Sequence, residues 1–237
     1  MGRTIESVVP ANAGLEEDEP MAVPRALGSG LLYVLDHPAA HDRLVRLRDR
    51  RTSSSEFRRV VHELSAMVAY EGLADLAVED MAVETPVAVA RCRRVVEHVL
   101  LVPVLRAGLG MVGAIHDLVP NAEVAHVGLR RDEVTLAAEV YLDRLPTDLG
   151  GRRVVICDPM LATGGSLIQV CSMAKSRGAR RVQALCLIVS RPGLAALWAA
   201  HPDVTVAAAA VDGWLDGRGY ISPGVGDAGD RLFGPLA

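Results

Sequence analysis

Lysine is almost missing from this chain. Of 25 basic side chains one, Lys175, is a lysine, and arginine supplies the rest. A Walker-type phosphate loop needs a lysine after its glycines, so that class is excluded. Aromatic residues make up 3% of the sequence, so the core must be built from Val, Leu, Ala and Ile. An excess of positive charge is also absent. The formal net charge of −4 argues against nucleic acid as a general partner. The four cysteines, Cys92, Cys157, Cys171 and Cys186, show no CxxC spacing and read as reduced core residues of a cytoplasmic protein. No apolar run is long enough for a membrane span: residues 99–105 fall far short. The first residues lack a basic stretch followed by an apolar one, so no signal peptide is expected. What remains is 237 residues, half of them apolar. That suits one generous α/β domain, or one domain with an appendage.

The richest stretch runs from Val154 to Ser166. An apolar, β-branched run ends in Asp158, Pro159-Met160-Leu161-Ala162 follows, and Thr163-Gly164-Gly165-Ser166 opens an apolar helical segment. Physically this is a strand, a carboxylate at the strand's end, and a helix N-terminus with free amides. Two glycines let a ligand approach that backbone closely. Such a site suits a phosphate and a sugar hydroxyl side by side. The competing reading is an ordinary βα turn with an N-cap serine, and the acid at the strand end tips the balance.

Organisation follows from periodicity. Residues 1–28 mix Gly, Pro and Ala with an acidic cluster at 16–19 and are expected to form a mobile tail. Ser53 and Glu56 form a capping box, and Phe57, Val60, Val61, Leu64, Met67 and Val68 repeat at helical spacing up to Tyr70. Strands are expected at 87–90, 99–105, 122–129, 154–158, 182–190 and 204–211. Helices are expected at 111–118, 165–177 and 194–201, and 135–142 reads as a strand or arm. This alternation predicts a mostly parallel sheet covered by helices, with ligands at the carboxyl ends of its strands.

Three further constellations carry chemistry. After the 99–105 run come Arg106, Gly108, Gly110 and Gly113, which spell a dinucleotide fingerprint, GxGxxG. That rival needs an acid ending the next strand, where Arg130 and Arg131 stand instead; those could suit a 2′-phosphate. The same pattern recurs at Gly224, Gly226 and Gly229 without strand–helix context, which shows how weak it is. Arg131 itself is a candidate phosphate ligand through its planar guanidinium. The segment 219–231 is dense in glycine and acids, yet contains Ile221 and Val225, which a disordered tail would waste. His37 and His41 have helical metal-ligand spacing, but Pro38 intervenes and no third ligand is evident, so surface or capping roles are expected.

These residues together resemble the uracil phosphoribosyltransferase family over roughly residues 35–233. The resemblance rests on Tyr70-Glu71, on 102–111, on Asp158 to Ser166, and on 219–230. Asp-Pro at 158–159, where most phosphoribosyltransferases carry two acids, is particular to the uracil branch. The resemblance implies the type I phosphoribosyltransferase fold: one domain over 29–237, a protruding β-arm near 132–146, and a C-terminal base-binding segment over 212–237. It implies transfer of the phosphoribosyl group of 5-phosphoribosyl-1-pyrophosphate to uracil, giving UMP and pyrophosphate, with Mg²⁺. Carried over by position, Asp158 binds the ribose hydroxyls, with Pro159, Met160 and Leu161 leading into the loop. Ala162, Thr163, Gly164, Gly165 and Ser166 hold the 5′-phosphate. Arg106 and Arg131 face the pyrophosphate, Asp227 sits by the ribosyl pyrophosphate and its metal, and Ile221, Gly226 and Ala228 read uracil. A homodimer or higher homo-oligomer and a GTP effector belong to the same implication.

The chain departs from the family in places. Arg130 stands where an aromatic is common, Ala138 and Val140 where prolines are often found, and Gly72-Leu73-Ala74-Asp75 follows Glu71. Two other classes compete with the enzyme: a regulator that kept the nucleotide site but lost turnover, and a nicotinamide-dependent oxidoreductase built on Gly108 and Gly110.

Overall fold

A computed structural model of the protein describes residues 4–5, 31–131 and 138–235. Along the chain, β1 (Thr4–Ile5) and β2 (Leu32–Val34) precede α1 (Pro38–Arg48) and α2 (Ser54–Gly72). Proline at the start of α1 and the His37 ring, which accepts from the Ala39 amide, set its first turn. Ser53 caps α2 by accepting from the Glu56 amide, and the expected stripe buries Phe57, Val60, Val61, Leu64 and Val68.

Next come β3 (Val78–Glu84), β4 (Val89–Val95) and β5 (His98–Leu105), then α3 (Leu109–Leu118), β6 (Glu123–Val124), β7 (Val127–Arg131) and β8 (Ala138–Asp143). The chain continues through β9 (Arg152–Cys157), β10 (Met160–Leu161), α4 (Gly165–Ser176), β11 (Arg181–Ser190), α5 (Arg191–Ala200) and β12 (Thr205–Asp212). It closes with β13 (Trp214–Leu215), β14 (Ile221–Ser222) and α6 (Ala228–Phe233).

The main sheet runs β1-β2-β12-β11-β9-β5-β7-β8. From β2 to β7 every pairing is parallel, and only β1 and β8 run against their neighbours. A strand buried on both faces reads as a continuous apolar run rather than an alternating one. That is why 99–105 and 182–190 stand out in the sequence. On one face α1, α2, α3 and the C-terminal residues Ile221, Val225 and Leu232 share a core. On the other, α4 and α5 pack through Leu167, Val170, Leu194 and Leu197. A mostly parallel sheet covered by helices on both faces is the architecture that the family resemblance implies.

Several expectations need correcting. The strand expected at 87–90 starts only at Val89 and runs to Val95 as the second strand of a hairpin, β3–β4, whose register pairs Val78 with Val95 and Glu84 with Val89. Val87 and Ala88 lie in its turn, where their amides donate to the Thr85 hydroxyl. The hairpin hid because neither face is buried, so no period of two was imposed on its sequence. Cys92 lies on it and is exposed, not in the core, while Cys157, Cys171 and Cys186 are buried free thiols. The strand expected at 122–129 is two pieces, Glu123–Val124 and Val127–Arg131, both paired parallel with β5; between them the Ala125 amide still donates to the Leu101 carbonyl of β5. Helix α5 begins earlier than expected, at Arg191, where Ser190 caps it by accepting from the Gly193 amide. Of the expected tail only Thr4–Ile5 is described, paired antiparallel with Tyr33 and Val34. Residues 132–137 of the expected arm lie outside the described residues.

Candidate active site

The parallel strands β5, β7, β9, β11 and β12 all end at one edge, at Leu105, Arg131, Cys157, Ser190 and Asp212. The sheet order therefore sets the residues that follow them side by side. At β9 the chain kinks. The Asp158 amide donates to the Leu185 carbonyl, the Pro159 carbonyl accepts from Leu187 and Ile188, and pairing with β11 resumes in β10. The kink lifts Asp158 out of the ladder and leaves its carboxylate half-buried. One oxygen accepts from the Met160 amide at 3.3 Å. Burial pushes this carboxyl up to about 7, against the pull of the Met160 amide.

Past β10 the loop reaches Gly164, which sits in the left-handed region (φ 89°) and opens α4 with no side-chain cap. The first amides of α4 therefore have no intrahelical acceptor and no competing side chain. An anion at such a terminus gains about 0.3–1 kcal/mol, and up to about 2 when partly buried. The loop is held from below. The Ser190 hydroxyl donates to the Ala162 carbonyl at 2.5 Å and accepts from Gly193. Gly193 packs so tightly that a Cβ there would lie 2.2 Å from the Ala162 oxygen.

Arg106 follows β5 through a cis peptide bond from Leu105. Gly108 presses the turn against β9, where a Cβ would meet the Cys157 carbonyl at 2.2 Å. From there the Arg106 guanidinium donates to Asp230 at 3.0 Å, tying the end of β5 to α6. Arg131 closes β7 at the same edge. The glycines of the dinucleotide pattern are used otherwise: a Cβ on Gly110 would touch Leu232 at 3.0 Å, so α6 covers the helix start that a cofactor pyrophosphate would need.

The C-terminal segment closes the edge. Ile221 is buried in the short β13–β14 ladder, Gly224 and Gly226 hold positive φ, and Asp227 caps α6 by accepting from the Asp230 amide at 2.9 Å. Among the described residues, nothing occupies the amide or carbonyl of Gly226, and Ala228 stands at the first turn of α6 with its amide outside the helical ladder. No group of three or more His, Cys, Asp or Glu among the described residues forms a metal cage. His37 serves as a cap, and His41 is exposed and lies 3.8 Å from Asp36, the surface and capping roles expected.

The residues that hold this segment in place are not ones whose role a motif announces. Asp212 accepts from both Arg48 nitrogens and from the Gly224 amide. Arg231 donates to the Leu47, Asp49 and Val225 carbonyls and stacks 4.1 Å from the Phe57 ring centroid. For Asp212 a signal existed: like Asp158 it ends an apolar strand. For Arg48 and Arg231 none did, because all their partners but Val225 lie more than 160 residues away.

Comparison with known proteins agrees with this geometry. The family model for uracil phosphoribosyltransferase matches residues 34–235. A uracil phosphoribosyltransferase of Symbiobacterium thermophilum is 50% identical over 204 residues, covering 86% of this chain and 98% of the relative. One from Ligilactobacillus salivarius is 45% identical over 206 residues, with 86% and 99% covered. Among solved structures, the AQ2163 protein of Aquifex aeolicus superposes with a TM-score of 0.81 at 35% identity, over 86% of this chain and 98% of its own. With the motifs, the fold and these relatives in agreement, the chain belongs to the uracil phosphoribosyltransferase family.

Proposed function

We propose that this protein joins uracil to the ribosyl group of 5-phosphoribosyl-1-pyrophosphate, releasing pyrophosphate and forming UMP in pyrimidine salvage. One observation carries the reading: a half-buried strand-end acid and an uncapped helix N-terminus share an edge with a glycine-rich segment in which the backbone groups of Gly226 are free to read a base. In this reading Asp158 accepts from the ribose hydroxyls and the 162–166 loop holds the 5′-phosphate. Arg106 and Arg131 stabilise the departing pyrophosphate, Arg106 exchanging its bond to Asp230 for one to substrate. Ile221, Gly226 and Ala228 frame uracil, and Asp227 lies beside the ribose.

Breaking the C1–O bond leaves a cation-like sugar and a highly charged leaving group. Catalysis is then positioning and electrostatic stabilisation, with no covalent attack by the protein. Uracil presents two carbonyl acceptors around one N–H donor, and cytosine lacks that hydrogen on N3. Each buried polar group left unpaired by the wrong base costs about 1–3 kcal/mol. The donor set suits Mg²⁺. Mg²⁺ usually keeps several waters and takes one or two carboxylates plus substrate phosphates, and the edge offers Asp158, Asp227 and Asp230 with no closed cage. When bound, it neutralises pyrophosphate charge.

With uracil, ribosyl pyrophosphate and Mg²⁺ we expect steady-state formation of UMP and pyrophosphate, and no NAD(P)H-induced rise in melting temperature. Tight UMP binding without turnover would instead establish the non-enzymatic regulator. A cytoplasmic location belongs to this reading and is supported by the buried free thiols; no helix among the described residues is long and apolar enough to cross a membrane. A GTP effector enters through the family resemblance alone and is tested by rate stimulation.

The reading extends to a homodimer or higher homo-oligomer. Hairpin β3–β4 leaves the body with Val87 94% and Val89 69% exposed, although an isolated two-stranded ribbon is marginal in water. Across the hairpin Glu79 pairs with Arg94 at 2.6 Å and Asp80 stands opposite Arg93, so its charges are matched internally and its exposed valines are what a second copy would cover. We expect sedimentation to give a dimer or larger species, and Val78→Asp with Val89→Asp to shift it toward monomer. A monomeric wild type would remove this part of the reading.

A further inference from the structure

We infer that Arg48 and Asp212, neither of them in reach of the reacting atoms, are positioning residues that set uracil affinity by making the base-reading loop rigid. The inference rests on the proposed reaction and concerns how its base site is built.

A base site made of backbone groups discriminates only as well as its backbone holds still. The loop 221–226 is poorly equipped for that. It contains Gly224 and Gly226, both at positive φ, and glycine has the broadest conformational freedom of any residue. The β13–β14 ladder holds Ile221 and Ser222, and proline fixes one torsion at residue 223, so the restraint on residues 224–226 comes from outside the loop.

Arg48 supplies it. This last residue of α1 forms a bidentate pair with Asp212 at 2.8 and 2.7 Å and donates a third bond to the Gly224 carbonyl at 3.1 Å. Asp212, the last residue of β12 and buried, accepts in turn from the Gly224 amide at 2.9 Å. Both polar groups of Gly224 are thus fixed to one ion pair, which joins the helix layer to the sheet edge. On the next residue Arg231 takes the Val225 carbonyl at 3.1 Å while filling the Leu47 and Asp49 carbonyls at the end of α1. The carbonyls of residues 224 and 225 are therefore committed, while nothing among the described residues holds the amide or carbonyl of Gly226. The bracket decides which peptide groups face the base and which do not. Its geometry needs a planar fork: lysine offers a point charge and cannot make the bidentate pair and the carbonyl bond together.

The test separates this from a merely structural role. Arg48→Ala should raise the KM for uracil at least tenfold and narrow the preference for uracil over cytosine. The KM for ribosyl pyrophosphate should stay within twofold, because its sites lie at the ends of β5, β7 and β9 and at the start of α4, and Asp227 is held separately as the cap of α6. Arg48→Lys should fall between wild type and Arg48→Ala. If Arg48→Ala does not fold, Asp212→Asn carries the same prediction, since it keeps the side chain's shape while removing its charge. Equal rises in both Michaelis constants, or an unchanged uracil KM in a folded variant, overturn the inference and leave the reaction standing. A folded wild type that does not turn over uracil brings down both.

Discussion

Asp158→Asn leaves a protein that is more stable and nearly inactive. The carboxyl is driven up to about 7 by burial, from an ordinary value of 3.8. An acid whose folded value is raised binds its proton more tightly in the folded state. Between about 4 and 7 the folded form therefore holds more protons than the unfolded one, and stability falls as pH rises through that window. Above it, the ionised carboxylate imposes a fixed cost. The displacement is worth up to about 4 kcal/mol, and about 2 once solvent at the crevice mouth is allowed for. Asparagine never ionises, so the variant should melt several degrees above wild type at pH 8, and the difference should vanish toward pH 4. Function runs the other way. Only the carboxylate accepts from both ribose hydroxyls, so kcat/KM for ribosyl pyrophosphate in the wild type should fall as pH drops below about 7. The variant should lack that limb and lose about 10²–10³ in kcat/KM, the scale of removing one transition-state contact. Differential scanning calorimetry at the two pH values and a pH–rate profile decide it. A variant no more stable at pH 8, or one with wild-type rates, contradicts the assignment.

The paired outcome explains why the most legible residue was also the least comfortable one. Asp158 showed in the sequence because a charge at the end of an apolar run breaks the local pattern, and natural sequences break such patterns where function requires it. The central strands and α2 were legible for the converse reason: burial forced a continuous apolar run on β5 and β11 and a helical stripe on α2. Hairpin β3–β4 escaped because no protein surface in one chain buries it, and Cys92 was misplaced with it. The approach of Arg106 to Asp230, 124 positions on, and of Arg48 to Asp212, 164 positions on, is a product of topology. Nothing in local propensity encodes it. The residues proposed to touch substrate could be named from motifs, whereas those that hold the site in place came only with the coordinates.

Gly193→Ala should inactivate the enzyme without touching substrate. Gly193 lies in the first turn of α5, behind the phosphate loop, where its own conformation is ordinary and alanine would normally favour a helix. The difficulty is space. A Cβ at this position would lie 2.2 Å from the Ala162 oxygen and 3.0 Å from the Leu161 oxygen. Both neighbours are backbone, so no rotamer relieves the overlap. Moving α5 away breaks its cap, because Gly193 donates to the same Ser190 hydroxyl that binds the Ala162 carbonyl. The easier response is to push the 161–164 loop outward, and that loop forms the proposed phosphate cradle. A shift of about 1 Å in positioning groups costs about 10²-fold in rate. We therefore expect kcat/KM for ribosyl pyrophosphate to fall about 10²-fold with uracil KM little changed, and overpacking to cost about 1–3 kcal/mol of stability. Gly113→Ala is the matched control, a mid-helix glycine whose Cβ would find nothing nearer than 3.8 Å, and it should be neutral or slightly stabilising. If Gly193→Ala keeps full activity at reduced stability, the loop tolerates displacement and the 5′-phosphate is held elsewhere. If both variants lose activity alike, the effect belongs to the helices in general and not to the contact between Gly193 and Ala162.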